Sequence, residues 1–337
     1  MSYIIYSLLA ITVSYLLLKN FYKFAKKFNL IDNKNKNYAL NPTLTGSGIV
    51  FLLIFIIGNM FFFIFEDSFK SQLPNRYYLF LISIFILTTV SFRDDLKSID
   101  PILRLVIQII CVYLSIATLN LNTIPLPTKL VFLIAVLIWI YIINISNFID
   151  GSDGFLISTF IFYCLNLIII LIFFKIKIFS GFLALICFPF ALVFFIFNKP
   201  PAKLFMGDAG SIFIGFVSGF WFLELILIDK WYLAISLASY SLVDCTICLL
   251  KKIKKGIMPW IGLYDYFFLI PILKKKTNHY NVLFLQIIFL FMNTIIIFIQ
   301  ELFEIKILFL LSIILSILLT HVYKNLEEKY NFLKIIK

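Results

Sequence analysis

The sequence predicts an all-α, polytopic integral membrane protein, and three observations carry that prediction. Hydrophobic residues fill 62% of the 337 positions and charged residues 14%, where soluble domains run near one half and one quarter. Mean hydropathy is +1.05. Apolar runs of about 17–20 residues recur along the chain, the length at which a helix matches the hydrocarbon of a bilayer. In that hydrocarbon each segment has to pair its own backbone N–H and C=O groups, which a helix does.

Eleven spans follow in order, at approximately 3–19, 46–65, 77–91, 102–119, 130–146, 155–173, 180–197, 211–228, 231–249, 281–300 and 306–323. The first has no basic lead-in and no small-residue cleavage site, so a retained helix is expected rather than a removed signal peptide. The third is short and the fourth opens with Arg104 and Gln108; dropping or re-pairing one of these leaves ten spans. Asp100 followed by Pro101 reads as an N-cap and first-turn proline for the fourth. The ninth carries Asp244 and Cys245-x-x-Cys248 with no second cysteine pair or nearby histidine. These cysteines, like Cys111, Cys164 and Cys187, therefore read as packing groups rather than metal or redox groups. His321, near the end of the last span, reads as interfacial.

A net charge of +12 would suggest nucleic acid in a soluble chain. Here no nucleic-acid partner is expected, and the charge orients the spans. With the first terminus outside, the connections 20–45, 92–101, 147–154, 198–210 and 250–280 and the tail from 324 share one side. That side, with its charged span ends, holds 22 of the 29 basic residues, and the positive-inside rule makes it cytoplasmic. Nine of the eleven aspartates lie there too; only Asp67 and Asp229 fall opposite. Acids contribute little to topology, so a one-sided cluster of carboxylates among lysines reads as a site.

Three cytoplasmic connections hold most of that chemistry. In SFRDDLKSIDPILR, adjacent Asp94 and Asp95 repel one another and contribute nothing as packing, but they suit a hard cation, a cationic partner or proton transfer. In NFIDGSDGF, Asp150-Gly151 and Asp153-Gly154 are turn dipeptides; turn geometry explains the glycines but not the accompanying Asn147. In FNKPPAKLFMGDAGS, Asp208 lies between Gly207 and Gly210, just ahead of an apolar helix beginning near Ser211. Glycines let a backbone approach a ligand, and a helix N-terminus offers free N–H groups to phosphate, while Ser211 or Asp208 could equally be an N-cap. Separate carboxylates, an amide, glycine-lined backbone and lysines suit Mg²⁺, which takes few protein ligands and shares the rest with water and substrate phosphates. No carboxylate needs to sit at mid-bilayer, where an ion-coupled carrier keeps one. A membrane enzyme handling phosphate on the cytoplasmic face is the expectation.

The order and spacing of SFRDDL, NFIDGSDG and FNKPPAKLFMGDAGS resemble the polyprenyl-phosphate N-acetylhexosamine-1-phosphate transferase family, glycosyltransferase family 4, most strongly over about residues 30–250. A fainter match is IDNKNKNYALNPTLTGSGIVF, which keeps Pro42, Thr43, Gly46 and Gly48 but has Asn37 and Leu40 where the family favours Arg and His. The resemblance implies one transmembrane domain over 1–337, with ten or eleven helices and its site at the cytoplasmic face. It implies transfer of N-acetylhexosamine-1-phosphate from a UDP-N-acetylhexosamine to polyprenyl phosphate with release of UMP, needing Mg²⁺, or Mn²⁺ in its place. Residue by residue, Asp208 and Asn147 match the metal ligands, and Asp94, Asp95 and Asp208 the catalytic acids. Asp153 and Asn198 fall where nucleotide contacts are expected, with Asp150 in polar support. Lys203 is a basic side chain for substrate, and Lys251 and Lys252, with Lys254 and Lys255 following, face substrate diphosphate or anionic lipid.

The connection 250–280 departs most. The family shows a paired-histidine motif there; here stand Tyr264, Asp265 and Tyr266, and His279 is the only histidine in that connection, a helix-edge residue or a diphosphate contact. The reading that results is a multi-pass protein of the bacterial inner membrane, a homodimer being compatible with it, that begins a surface-polysaccharide lipid intermediate such as O-antigen. Two alternatives remain. A weakened homologue would only bind polyprenyl phosphate or a partner. An ion-coupled transporter would need acids near mid-span, where only Glu224 is clearly internal, toward the outer end of its helix.

Overall fold

The computed structural model describes residues 2–31, 43–258 and 266–335. Asn37, Leu40, Pro42, Tyr264 and Asp265 lie outside the described residues. The helices are α1 (Ser2–Lys27), α2 (Gly48–Phe65), α3 (Asp67–Gln72), α4 (Tyr77–Leu96), α5 (Pro101–Ile116), α6 (Thr128–Ile149), α7 (Phe155–Ile172), α8 (Phe179–Asn198), α9 (Gly207–Leu227), α10 (Trp231–Lys254), α11 (Ile270–Leu273), α12 (His279–Phe303) and α13 (Phe309–Ile335). All but α3 and α11 correspond to the expected spans, and the chain is a multi-pass membrane protein. Among the described residues nine helices are long and apolar enough to cross a membrane. The remaining two of the eleven are α4, whose last turn carries Arg93, Asp94 and Asp95, and α5, which has sixteen residues.

Several helices run past the apolar spans. α4 continues to Leu96, α6 to Ile149 and α10 to Lys254, and α9 begins at Gly207 rather than near Ser211. Asp94, Asp95 and Asp208 therefore sit on helix ends, not in loops. Polar residues outside the hydrocarbon can still continue a helix, so an apolar window marks the membrane crossing and not the helix boundary.

α9 is the central helix, with nearly every residue from Ala209 to Leu225 buried, and it packs on α6, α4, α2 and α10. Lipid tails are as apolar as leucine, so helices in a bilayer associate through close packing and hydrogen bonds rather than a hydrophobic drive. The α6–α9 seam uses both. A Cβ on Gly219 would lie 2.2 Å from Trp139 Cδ1, and one on Gly215 would lie 2.7 Å from Ile143 Cα. Trp139 Nε1 donates to the Phe216 carbonyl at 2.8 Å, and Asn147 Nδ2 donates to Ser211 Oγ at 3.0 Å. Positions 139, 143 and 147 on α6 thus meet 219, 215 and 211 on α9, four residues apart on each helix, and the last rung enters the site. On α12 a second polar row recurs every seven residues. Gln286 donates to Thr159 Oγ1 at 3.2 Å, Asn293 to the Ser236 carbonyl at 2.8 Å, and Gln300 Oε1 accepts from Ser236 Oγ at 3.0 Å.

Backbone pairing laces the start of α2 to the start of α9. Phe205 N–H donates to the Leu44 carbonyl at 2.7 Å and Gly48 N–H to the Met206 carbonyl at 2.9 Å. The approach is close because a Cβ on Gly48 would lie 2.0 Å from Gly210 N. The five cysteines are free and buried, as packing groups should be. Asp100 accepts from the Ile102 and Leu103 N–H groups, with Pro101 at the first position of α5. Glu224 accepts from the Phe179 and Ser180 N–H groups at 2.8 and 2.7 Å, and from the Ser180 hydroxyl. It caps the start of α8, a structural use that gives an ion carrier no vacant acid there.

Candidate active site

The site is built on the first turn of α9. Gly207 has φ +70, a left-handed conformation that costs glycine little, and a Cβ there would lie 2.3 Å from Asp95 Oδ2. The missing side chain lets Asp95 reach in from the last turn of α4. Its Oδ1 accepts from Asp208 N–H at 2.8 Å and its Oδ2 from Ala209 N–H at 3.2 Å. Asp95 therefore caps α9 across 113 residues of sequence. Neither Ser211 nor Asp208 supplies that cap; Met206 stands at the N-cap position with no side-chain bond.

Asp94 turns the other way, so the adjacent carboxylates do not face each other. It is 3% exposed; Oδ1 accepts from Ile99 N–H at 2.6 Å and Oδ2 from Arg104 Nη1 at 2.7 Å. The same Nη1 lies 2.9 Å from Asp208 Oδ2. Asn147 Nδ2 donates to Asp208 Oδ1 at 3.2 Å. Three carboxylates, a guanidinium and a side-chain amide thus gather at the positive end of a helix.

Around them, the two glycine-bearing connections are stitched together. Asp153 Oδ2 accepts from Ala202 N–H at 3.0 Å. Asn198 is buried; its Oδ1 accepts from Gly154 N–H at 3.1 Å and its Nδ2 donates to the Leu204 carbonyl at 3.0 Å. Asp150 is half-buried at the residue following α6, and Lys203 is exposed. Lys252 is buried, its ammonium 5.9 Å from the Phe148 ring and 5.7 Å from that of Tyr266. Lys251 lies 4.0 Å over the Phe267 ring. Burial pushes the Tyr266 phenol well up from its ordinary range, so it stays neutral. Asp244 anchors this aromatic segment: it accepts from Tyr240 OH at 2.8 Å and from Phe267 N–H at 3.1 Å.

The structure brings Asp94, Asp95, Asn147 and Asp208 into one hydrogen-bonded set. Asp153, on the connection after α6, and Asn198, at the end of α8, form a second set, and Lys251 and Lys252 lie beside aromatic rings. Sequence reasoning misses Arg104, which it treats as a charged span end. The signal is there: an arginine inside an apolar run needs an acid partner, and Asp94 stands ten residues before it.

The donor set suits a hard cation with few protein ligands. Asp208 and the Asn147 side chain meet at 3.2 Å, and a cationic guanidinium already bridges Asp208 and Asp94. Among the described residues no group of three or more His, Cys, Asp or Glu forms a metal cage. Mg²⁺ takes few protein ligands and leaves several positions to water and phosphate.

Residues 77–226 match the model of glycosyl transferase family 4. A phospho-N-acetylmuramoyl-pentapeptide-transferase of Prochlorococcus marinus (strain MIT 9301) is 30% identical over 243 residues, 61% of this chain and 64% of that protein. The protein of the same name from Streptococcus sanguinis (strain SK36) is 26% identical over 203 residues, 55% of this chain and 60% of its own length. One from Chlamydia muridarum (strain MoPn / Nigg) is 34% identical over 90 residues, 26% of this chain and 27% of its own. The chain thus spans less than two thirds of the length of each of these relatives.

Proposed function

From the match of residues 77–226 to the model of glycosyl transferase family 4, we propose that the chain is a polyprenyl-phosphate phosphotransferase of that family in a bacterial cytoplasmic membrane. It moves an N-acetylhexosamine-1-phosphate from a UDP-sugar to polyprenyl phosphate, releasing UMP, and so begins a surface polysaccharide such as O-antigen. The observation that supports this best is the convergence of Asp94, Asp95, Asn147 and Asp208 on the first turn of α9.

In this reading an oxygen of the lipid phosphate attacks the sugar-bearing phosphorus of the donor. The bond from that phosphorus to the bridging oxygen breaks, and the oxygen leaves with UMP. A phosphate monoester has its second pKa near ~6, so the lipid phosphate is mostly dianionic at neutral pH and needs no strong base. Asp94 and Asp95 therefore act by holding. Asp95 fixes the first turn of α9, and Asp94 orients Arg104, which offers positive charge to substrate phosphate. Asp208 and Asn147 would hold Mg²⁺, which when bound would supply charge neutralisation to the donor diphosphate. Asp153 takes the uridine, Asp150 and Asn198 support its connection, and Lys203, Lys251 and Lys252 extend the basic surround.

A second reading takes UDP-N-acetylmuramoyl-pentapeptide as donor, favoured by the names of the relatives. The connection 250–280, with no paired histidine, does not separate the two donors. The test is UMP release by the purified full chain with undecaprenyl phosphate, Mg²⁺ and both donor classes. Release with an N-acetylhexosamine donor is expected, stopped by EDTA and reduced at least about a hundredfold in Asp208→Ala. Release with the muramoyl-pentapeptide donor alone would replace the first reading by the second. Folded protein inactive with every donor would leave a binding homologue.

A further inference from the structure

His279 is the first residue of α12, in a turn capped by Asn278, which accepts from Asn281 N–H at 2.9 Å. The helix packs on α7, α10 and α13, so the imidazole projects from a fixed base. It reaches the connection between α6 and α7. Its Nδ1 lies 3.2 Å from the Asp153 backbone nitrogen and 2.9 Å from Ser152 Oγ. A backbone amide can only donate, so Nδ1 is the acceptor and the ring proton sits on Nε2. Asp153 Oδ1 stands 3.8 Å from the same nitrogen.

Residues 152–154 are thereby gripped from two sides. α12 takes the Ser152 hydroxyl and the Asp153 amide. The connection after α8 takes the Asp153 carboxylate through Ala202 N–H and the Gly154 amide through Asn198. The gripped segment is short, preceded by Gly151 and closed by Gly154 at φ +74, so its own sequence restricts the backbone little.

We infer that His279 is a positioning residue for the nucleotide half of the donor: it fixes the backbone at Asp153, and so the direction of the Asp153 carboxylate, without touching substrate. This rests on the transferase reading, since the aim of Asp153 matters to turnover only where a uridine nucleotide binds. Asparagine can place an acceptor oxygen where histidine carries Nδ1; glutamine places its amide near the position of Nε2.

The experiment compares full-length wild type with His279→Asn, His279→Gln and His279→Ala. UMP binding in the presence of Mg²⁺ is measured by calorimetry, together with backbone amide exchange over 152–156 in ligand-free protein. His279→Ala and His279→Gln are expected to weaken UMP about tenfold, to speed exchange, and to raise the donor KM with kcat nearly unchanged. His279→Asn is expected to stay within about threefold of wild type. Equal behaviour of Asn and Gln, or wild-type UMP affinity in His279→Ala, overturns the inference. Should His279→Ala fail to fold, the Asn–Gln comparison decides alone. Wild type that binds no UMP defeats the transferase reading instead; the exchange data then still decide whether His279 holds the connection, and unchanged exchange in the variants sinks that too.

Discussion

At Gly207 a single added carbon would lie 2.3 Å from Asp95 Oδ2, on a residue already at φ +70. Gly207→Ala should cost roughly 1–3 kcal/mol in strain and push Asp95 off the Asp208 and Ala209 amides. The expected outcome is a lower thermal midpoint together with at least about tenfold slower UMP release. Wild-type turnover in the alanine variant would show that the cap does not matter to the chemistry. Around this glycine, some residues are conspicuous in the sequence and others are not. Asp94, Asp95, Asn147 and Asp208 stand out because an apolar chain has no packing use for them. The partner of Asp95 is hidden, since a cap supplied from another helix leaves no local pattern. Arg104 is passed over for another reason: a basic residue at a cytoplasmic span end is already explained by topology, although its place in an apolar run calls for an acid partner.

Among elements, α6 and α9 determine how Asn147 meets Asp208. Gly219 leaves room for Trp139 and Gly215 for the Ile143 backbone, so the rungs of one seam control a distance inside the site. Gly219→Ala should destabilise the protein by about 1–3 kcal/mol, the usual penalty for overpacking. Trp139→Leu should be destabilising alone yet relieve part of that penalty when the two are combined. Thermal unfolding of both single variants and the double variant measures the coupling; strictly additive losses would mean that the two residues do not bear on one another. Apolar length locates all eleven long helices, because bilayer thickness dictates it. Their ends are less legible: α9 starts four residues before the expected Ser211, and a hydropathy run is silent about polar helical turns. The connection after α10 is the least legible, because Asp244 holds Phe267 from within a helix whose sequence looks like any other span.

For the molecule as a whole, the proposed function needs the α9 end of the bundle in the cytoplasm, where nucleotide donors are found, and the charge pattern predicts that side. The native cysteines are all buried, which leaves a quiet background for single introduced thiols. Asp67→Cys should react with an impermeant maleimide in intact cells, whereas Lys255→Cys and Lys275→Cys should react only after lysis. The reverse pattern would put the acids on the outer face and remove the donor from reach. Arg104 between Asp94 and Asp208 also bears on the birth of the protein. The two ends of that bridge are 104 residues apart, so at ordinary translation rates of ~5–20 residues per second α5 leaves the ribosome roughly 5–20 s before α9 follows. Through that interval Asp94 can already be neutralised by Arg104, while Asp95 has no helix start to grip. A nascent chain thus carries a half-built clasp at the membrane edge, and the arrival of α9 both fills the centre of the bundle and closes it.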